Sequence, residues 1–127
     1  MKHINKFILF EHRYNLKKVK TDRFVYHSSN PFYREEITKL GLISKGRSEN
    51  WLSNTKIDGE VIFASNSEKD WFCSGYDDDI YKIDTSLIDN EWFQDPNFCD
   101  DKYIITFKNI PLDYITLIYK GNGKSFE

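Results

Sequence analysis

The chain has 127 residues, of which 17% are aromatic and 30% charged, and its formal net charge is -2. This length predicts one domain, and the supply of large apolar side chains excludes a disordered chain. No apolar run is longer than that of residues 7–10, which is far shorter than the roughly 20 residues of a membrane span and too short for a signal peptide, so we expect a cytoplasmic protein without membrane contact.

Charge is unevenly distributed along the chain. Residues 1–27 hold seven Lys or Arg and two acids, whereas residues 68–101 hold eleven acids and two Lys. The basic start could contact the phosphates of a nucleic acid or a nucleotide, or it could complement the acidic middle of the same fold. The cysteines and histidines lack the spacing of a zinc site, and the acids at 77–79 lack the spacing of a calcium loop, so no metal is expected and 77–79 is predicted to be a loop tip.

Short apolar segments predict about six strands. They cover residues 7–10, 24–27, 61–64, 80–83, 103–107 and 114–119. The polar and basic segment 11–22 is predicted to be an irregular arm. The segments 42–58 and 88–101 are predicted to be long loops, the second of them acidic.

Two short helices are predicted between these strands. Asn30 is a suitable N-cap, Pro31 suits the first helical position, and Gly41 can end the first helix in a left-handed conformation. The apolar residues expected on one face of that helix are Tyr33, Ile37 and Leu40. Ser65 and Glu68 have the spacing of a capping box that opens the second helix.

These elements predict an α+β fold with a mostly antiparallel sheet, because strands and helices do not alternate regularly. The chain is interpreted as a single domain, residues 1–127. It comprises a basic N-terminal strand and arm (1–23), a core (24–118) and a flexible tail (121–127).

Three short motifs follow one another in this layout. Residues 26–29 (YHSS) end a strand before a capped helix, residues 61–65 (VIFAS) form a strand with a central aromatic residue, and residues 94–98 (QDPNF) form an acidic turn. In order and spacing, residues 24–118 resemble the small ADP-ribosyltransferases, with a motif order most similar to the rifampin ADP-ribosyltransferase type. Residues 110–115 (IPLDYI) resemble the last turn and strand of such domains.

The resemblance implies a split antiparallel sheet and a transferase that uses NAD. Such an enzyme breaks the bond between nicotinamide and ribose and passes ADP-ribose to an acceptor, here an unidentified protein, nucleic acid or small molecule. It implies that His27 binds ribose hydroxyls, that Phe63 stacks on nicotinamide and that Asp95 stabilises the positive charge developing on the ribose. The remaining residues implied to bind NAD are Ser28, Ser29, Arg47 and Ser65.

Two departures from the family pattern favour an alternative function, that of a module that binds its ligand without catalysis. Phe63 stands where the family has tyrosine, and Ser28 stands where it has glycine. Both substitutions suit a catalytically silent module that binds NAD, another nucleotide or a protein. Asp113 is an alternative to Asp95 as the acidic residue. A third hypothesis is a small nucleic-acid-associated protein that uses the basic first 27 residues. The richness in Ile, Asn and Lys, together with the single alanine, Ala64, indicates an AT-rich genome such as that of a phage or a low-GC bacterium.

Overall fold

The computed structural model of the protein describes residues 16–43, 61–67, 75–95 and 102–126. Seven strands in this part of the chain form one sheet. They are β1 (Lys18–Val19), β2 (Phe24–Ser29), β3 (Ile62–Ser65), β4 (Asp79–Asp84), β5 (Trp92–Gln94), β6 (Tyr103–Thr106) and β7 (Ile115–Tyr119). The other elements are the helix α1 (Arg34–Leu40) and 3-10 turns at Pro31–Tyr33, Thr85–Leu87 and Leu112–Tyr114.

The strand order across the sheet is β1-β5-β6-β3-β2-β4-β7, and each pair of neighbours is antiparallel. The predicted α+β class with a mostly antiparallel sheet is therefore confirmed. The sheet is continuous rather than split, but its centre is thin. A single registered pair, Tyr26 with Ser65, joins β2 to β3, whereas six pairs join β2 to β4.

Five of the six predicted strands are present within one or two residues of the expected limits. The sixth, at residues 7–10, lies outside the described residues, as does most of the second predicted helix. The prediction of loops over 11–22 and 88–101 was wrong where β1 and β5 form. Each of these strands is only two or three residues long and is specified by its partners, since Lys18 and Val19 pair with Phe93 and Trp92.

The first helix begins and ends with the predicted signals. The side chain of Asn30 accepts a hydrogen bond from the Phe32 amide (2.9 Å), and Pro31 opens the 3-10 turn that leads into α1. Gly41 ends the helix with φ 80°, which a residue with a Cβ rarely adopts. A Cβ at this position would also lie 2.5 Å from the Ile110 carbonyl oxygen, so glycine permits a close approach of two backbones.

The predicted apolar face of this helix is only partly buried. Ile37 packs in the core, but Tyr33 and Leu40 are 49% and 60% exposed. Tyr33 belongs to the 3-10 turn rather than to α1. Because a 3-10 turn has three residues per turn and an α-helix has 3.6, the Tyr33 side chain does not lie on the face expected for a continuous α-helix.

The sheet buries apolar side chains on both faces. One face packs against α1 through a cluster that includes Val25, Ile37 and Tyr81, and we call it the α1 face. The other face carries a smaller cluster of Val61, Phe93 and Ile105, against which Phe63 packs. Side chains alternate between the faces along each strand, so the register assigns every strand residue to one of them.

The C-terminal tail, predicted to be flexible, is instead bonded to the start of β4. Residues 121–126 lie along residues 75–79, with hydrogen bonds from the Asp77 amide to the Lys124 carbonyl (2.9 Å) and from the Phe126 amide to the Gly75 carbonyl (3.0 Å). We call this pairing the C-terminal clasp. A short polar segment carries no sequence signal of its own that predicts such a partner.

Candidate functional site

The shortest pairing between neighbouring strands of the described sheet is that of β2 with β3, which share one registered pair. The Thr85 amide donates to the Arg23 carbonyl (2.7 Å), just before β2 begins. In the register of β2 with β4, every second residue from Arg23 onward, including Val25 and His27, therefore directs its backbone groups to β4. The backbone groups of the alternate residues, Tyr26 and Ser28, point the other way, towards β3. The registered pairing of β2 with β3 ends at Tyr26 and Ser65. The amide and carbonyl of Ser28 therefore point towards β3 at a position beyond that pair.

The opposing edge of β3 is directed into the same opening. The Asn66 amide donates to the Lys102 carbonyl (3.1 Å), so Ala64 directs its backbone groups to β6 and Phe63 directs its own to β2. We call the space bounded by His27, Ser28 and Phe63 the β2–β3 notch. The Ser28 amide and carbonyl face this space, whereas the Phe63 carbonyl is hydrogen-bonded to His27.

His27 spans the notch. Its Nδ1 lies 2.6 Å from the Phe63 carbonyl oxygen. Burial lowers the pKa of His27 below 6.5, and the hydrogen bond to the carbonyl opposes part of that shift. A carbonyl can only accept, so Nδ1 carries the proton of the neutral ring and Nε2 is left as an acceptor.

The structure joins His27 to Phe63 through the backbone but separates their side chains. His27 is paired with Tyr81 and so belongs to the α1 face, where the two ring centroids are 6.3 Å apart. Phe63 packs on the opposite face. The two rings therefore bound the notch from different sides of the sheet and do not line one common wall.

The two serines that follow His27 also diverge. Ser28 shares the face of Phe63, and its Oγ donates to Oδ2 of Asp78 at 3.2 Å. Ser29 faces the α1 side, and its hydroxyl lies 3.5 Å from the Asn30 carbonyl oxygen, at the limit of a hydrogen bond. Of these two serines, only Ser28 directs its backbone groups to the notch and its side chain to the face of the sheet that carries Phe63.

Asp78 was not predicted as a site residue, because it was interpreted as part of a loop tip. It is half-buried beside the notch. Burial raises the pKa of Asp78, the hydrogen bond from Ser28 lowers it, and the negative charges of Asp79 and Asp77 raise it. Only the pairing of β4 with β2 brings this carboxylate to Ser28, so no local sequence signal could have identified it.

Ser65 has a role within its own turn. Its hydroxyl accepts from the Ser67 amide and donates to the Ser67 carbonyl, both at 3.1 Å, and the residue is fully buried. It stands at the last β2–β3 pair and shares the face of Phe63 by alternation along β3.

The predicted acidic residue lies further away. Asp95 is buried, and its amide donates to the Tyr103 carbonyl (2.9 Å), which extends the β5–β6 register by one pair. This places Asp95 on the face of Phe63, but β6 separates β5 from β3, so the two strands are about 10 Å apart. Asp113 is exposed in the 3-10 turn before β7. Because β7 begins beside the C-terminal end of β4, and the notch lies at the other end of β4, Asp113 is distant from the notch.

Arg47 lies outside the described residues, as do both cysteines. Within the described ranges, no three His, Cys, Asp or Glu side chains converge in a way that could hold a metal ion. In the same part of the chain, no helix has the length and apolar character needed to cross a membrane.

A buried ion pair holds the notch end of the sheet together. Arg34 binds both carboxylate oxygens of Asp79 (2.8 and 2.7 Å), and Asp79 is completely buried. The Gly121 amide donates to the same carboxylate (2.9 Å), and Arg34 donates to the Gly121 carbonyl (3.0 Å). The prediction of a loop tip was therefore wrong for Asp79, which begins β4 and connects α1 to the C-terminal clasp.

The basic residues near the start of β1 and β2 have acidic partners. Lys18 pairs with Glu91 (2.7 Å) and Arg23 pairs with Asp84 (3.2 Å). These contacts match the interpretation in which basic residues complement the acidic middle of the fold.

A cavity of about 280 Å³ lies at the β5–β6 side of the sheet. Its lining includes Glu91, Phe93 and Lys108, and the Lys108 ammonium pairs with Asp89 at its rim. None of the predicted site residues in the described part of the chain lines this cavity, so we place the candidate site at the notch.

Comparison of the chain with protein-family models and with curated proteins finds no match. The functional interpretation therefore depends on the geometry of the notch and on the motif resemblance.

Proposed function

We propose that this protein binds NAD at the β2–β3 notch and transfers ADP-ribose to an acceptor. The observation that carries the proposal is the end of the β2–β3 ladder at Tyr26 and Ser65, with the His27 ring hydrogen-bonded to the Phe63 carbonyl beyond it. The amide and carbonyl of Ser28 are directed past this pair, towards β3. A carboxamide such as that of nicotinamide has one donor group and one acceptor group, which match the carbonyl and the amide of a single strand residue such as Ser28.

Each residue of the notch has a defined task in this proposal. His27 Nε2 accepts a hydrogen bond from a hydroxyl of the nicotinamide ribose, since Nδ1 is committed to Phe63. The Phe63 ring stacks on the nicotinamide from the face it shares with Ser28. In the transfer, the bond from ribose C1′ to nicotinamide breaks with its electron pair leaving on nicotinamide, and C1′ bonds to the acceptor, which loses a proton.

The position of Asp95 supports a second candidate, a silent module that binds NAD without turnover. Its carboxylate belongs to a strand about 10 Å from β3. A carboxylate stabilises a developing positive charge on a sugar best at close range. Release of nicotinamide distinguishes the two candidates.

The test is a thermal melt with and without NAD, followed by an assay of free nicotinamide in the same sample. Ligand at 100 times its Kd adds about 2.7 kcal/mol to the stability of the folded state. His27→Ala removes Nε2 and the contact to Phe63, and we expect it to abolish the shift in Tm.

A matched variant separates binding from folding. His27→Asn retains a donor near the position of Nδ1 and can keep the Phe63 contact, but it lacks Nε2. We expect it to fold like the parent and to lose at least about 1 kcal/mol of NAD affinity, the typical net value of a hydrogen bond. A shift in Tm without nicotinamide release supports the silent module, and the absence of any shift in the parent protein refutes both candidates.

A further inference from the structure

The three consecutive acids at the start of β4 face two different partners. Asp77 and Asp79 bind the C-terminal clasp, through the Asn122 amide (3.0 Å) and the Gly121 amide (2.9 Å) respectively. Asp78, between them, points to the other side and accepts from Ser28. The clasp thus holds the backbone on either side of Asp78 and fixes the carboxylate beside the notch.

The hydrogen bond from Ser28 limits what this serine can offer a ligand. A serine hydroxyl has one proton and two lone pairs. With its proton donated to Asp78 Oδ2, the Ser28 oxygen can only accept. The ligand group that meets Ser28 must therefore supply an N–H or an O–H.

Charge acts in the same direction as this hydrogen bond. Arg34 is engaged by Asp79, and Asp77 accepts from the Tyr119 hydroxyl (2.6 Å). The described groups that act on the Asp78 carboxylate are the Ser28 hydroxyl and the carboxylates of Asp77 and Asp79, and none of these is a cation. An anionic ligand group beside Ser28 would be repelled by the Asp78 carboxylate at short range.

We propose that Ser28 and Asp78 form a specificity pair that selects the carboxamide of a pyridine nucleotide over the corresponding carboxylate. The amide supplies the N–H that Ser28 requires, whereas the acid offers only acceptors and a negative charge. This inference rests on the proposed function, because it places the pyridine ring at the notch. Asp78 is a positioning residue here, since it acts through the Ser28 hydroxyl and through its charge.

The test compares two ligands, NAD and its analogue in which nicotinamide is replaced by nicotinic acid. Calorimetric titration of each ligand into the full chain gives the ratio of the two Kd values. We expect the parent protein to favour the amide by about tenfold or more, because a site that requires a donor rejects a ligand without one. Asp78→Asn removes the charge but can still accept from Ser28, and it should lower the ratio to about threefold or less, mainly by tighter binding of the acid.

Asp22→Asn is the matched control. It makes the same chemical change at an exposed position before β2, at the end of the strand away from the notch, and it should leave the ratio unchanged. Ser28→Ala should weaken binding of the amide and leave the acid little affected. A parent protein that binds both ligands equally, or an Asp78→Asn ratio equal to that of the parent, overturns the specificity pair while the proposed function stands. Binding of neither ligand overturns the proposed function and the inference together.

Discussion

At the scale of single residues, His27 is the side chain on which the site depends most. It is held by a carbonyl that can only accept, and burial keeps its pKa low. Both effects favour a neutral ring with a fixed tautomer. A neutral imidazole suits binding of a sugar hydroxyl better than it suits binding of a phosphate, which prefers a cation.

The lowered pKa of His27 predicts that acid destabilises the fold. Its pKa in the folded state lies below 6.5, so near pH 6 the unfolded chain binds more protons at this site. The free energy of unfolding should therefore rise with pH through this window and level off above 6.5. Urea unfolding at pH 5.5 and 7.5 should show that His27→Asn depends less on pH than the parent. Equal pH dependence in the two proteins would assign the effect to other groups.

At the scale of elements, the C-terminal clasp joins three parts of the chain that are distant in sequence. Arg34 at the start of α1, Asp79 at the start of β4 and Gly121 after β7 are linked by hydrogen bonds with one another. A carboxylate buried at 0% exposure is tolerated only with such partners. The clasp therefore also fixes the turn from β2 into α1, which borders the notch.

Glycine at position 121 is required by the close approach of this clasp. A Cβ there would lie 2.0 Å from the Asp77 carbonyl oxygen, so Gly121→Ala must displace the backbone. We expect a loss of about 3 kcal/mol in the free energy of unfolding. Gly75→Ala is the control, because its Cβ would meet no atom of the described residues within 4 Å and the φ of 95° costs about 1 kcal/mol. Chemical denaturation of both variants tests whether Gly121→Ala loses more stability than Gly75→Ala. Equal losses in the free energy of unfolding would contradict the prediction.

Removal of the Asp79 charge should be equally informative. Asp79→Asn leaves Arg34 without its bidentate partner and weakens the bond to the Gly121 amide. We expect a loss of about 3 kcal/mol, the lower end of the range for breaking a buried pair from one side, because the Arg34 side chain is 33% exposed. The exposed pair of Glu35 with Lys39 is the comparison, and Glu35→Gln should leave the denaturation midpoint nearly unchanged. If Asp79→Asn and Glu35→Gln have the same denaturation midpoint, the contacts of Asp79 with the clasp stabilise the fold no more than a surface ion pair does.

At the scale of the whole molecule, stability is distributed unevenly across the sheet. β2 and β4 share six registered pairs and carry Val25 and Ile83, both completely buried. β1 has two residues and, among the described strands, lies at the edge of the sheet and pairs with β5. The single pair between β2 and β3 makes the notch a natural boundary between two halves of the sheet.

Hydrogen exchange should follow this distribution. Amides of β2 and β4 that bond each other should exchange slowest, and those of β1 should exchange fastest among the strands, since protection follows buried ladder bonds. Exchange measured by mass spectrometry on peptides that cover these strands tests the order. Protection of β1 equal to that of β4 would contradict it. Added NAD should further protect the peptides that contain Ser28 and Phe63.

Sequence patterns predicted those elements whose signals are local. The cap at Asn30, the proline at 31 and the glycine at 41 predicted α1, because each acts on the backbone within a few residues. β5 was missed because its apolar residues, Trp92 and Phe93, are flanked by acids and form a strand only beside β6 and β1.

The sequence by itself determined the α+β class and the placement of His27 and Phe63 in two short strands, because strand and cap preferences are properties of short segments. Tertiary structure alone decided that the His27 and Phe63 rings lie on opposite faces, that Asp78 meets Ser28, and that Asp79 is buried under the C-terminal clasp. These depend on register and on pairing between distant segments, where a shift of one residue moves every side chain to the other face.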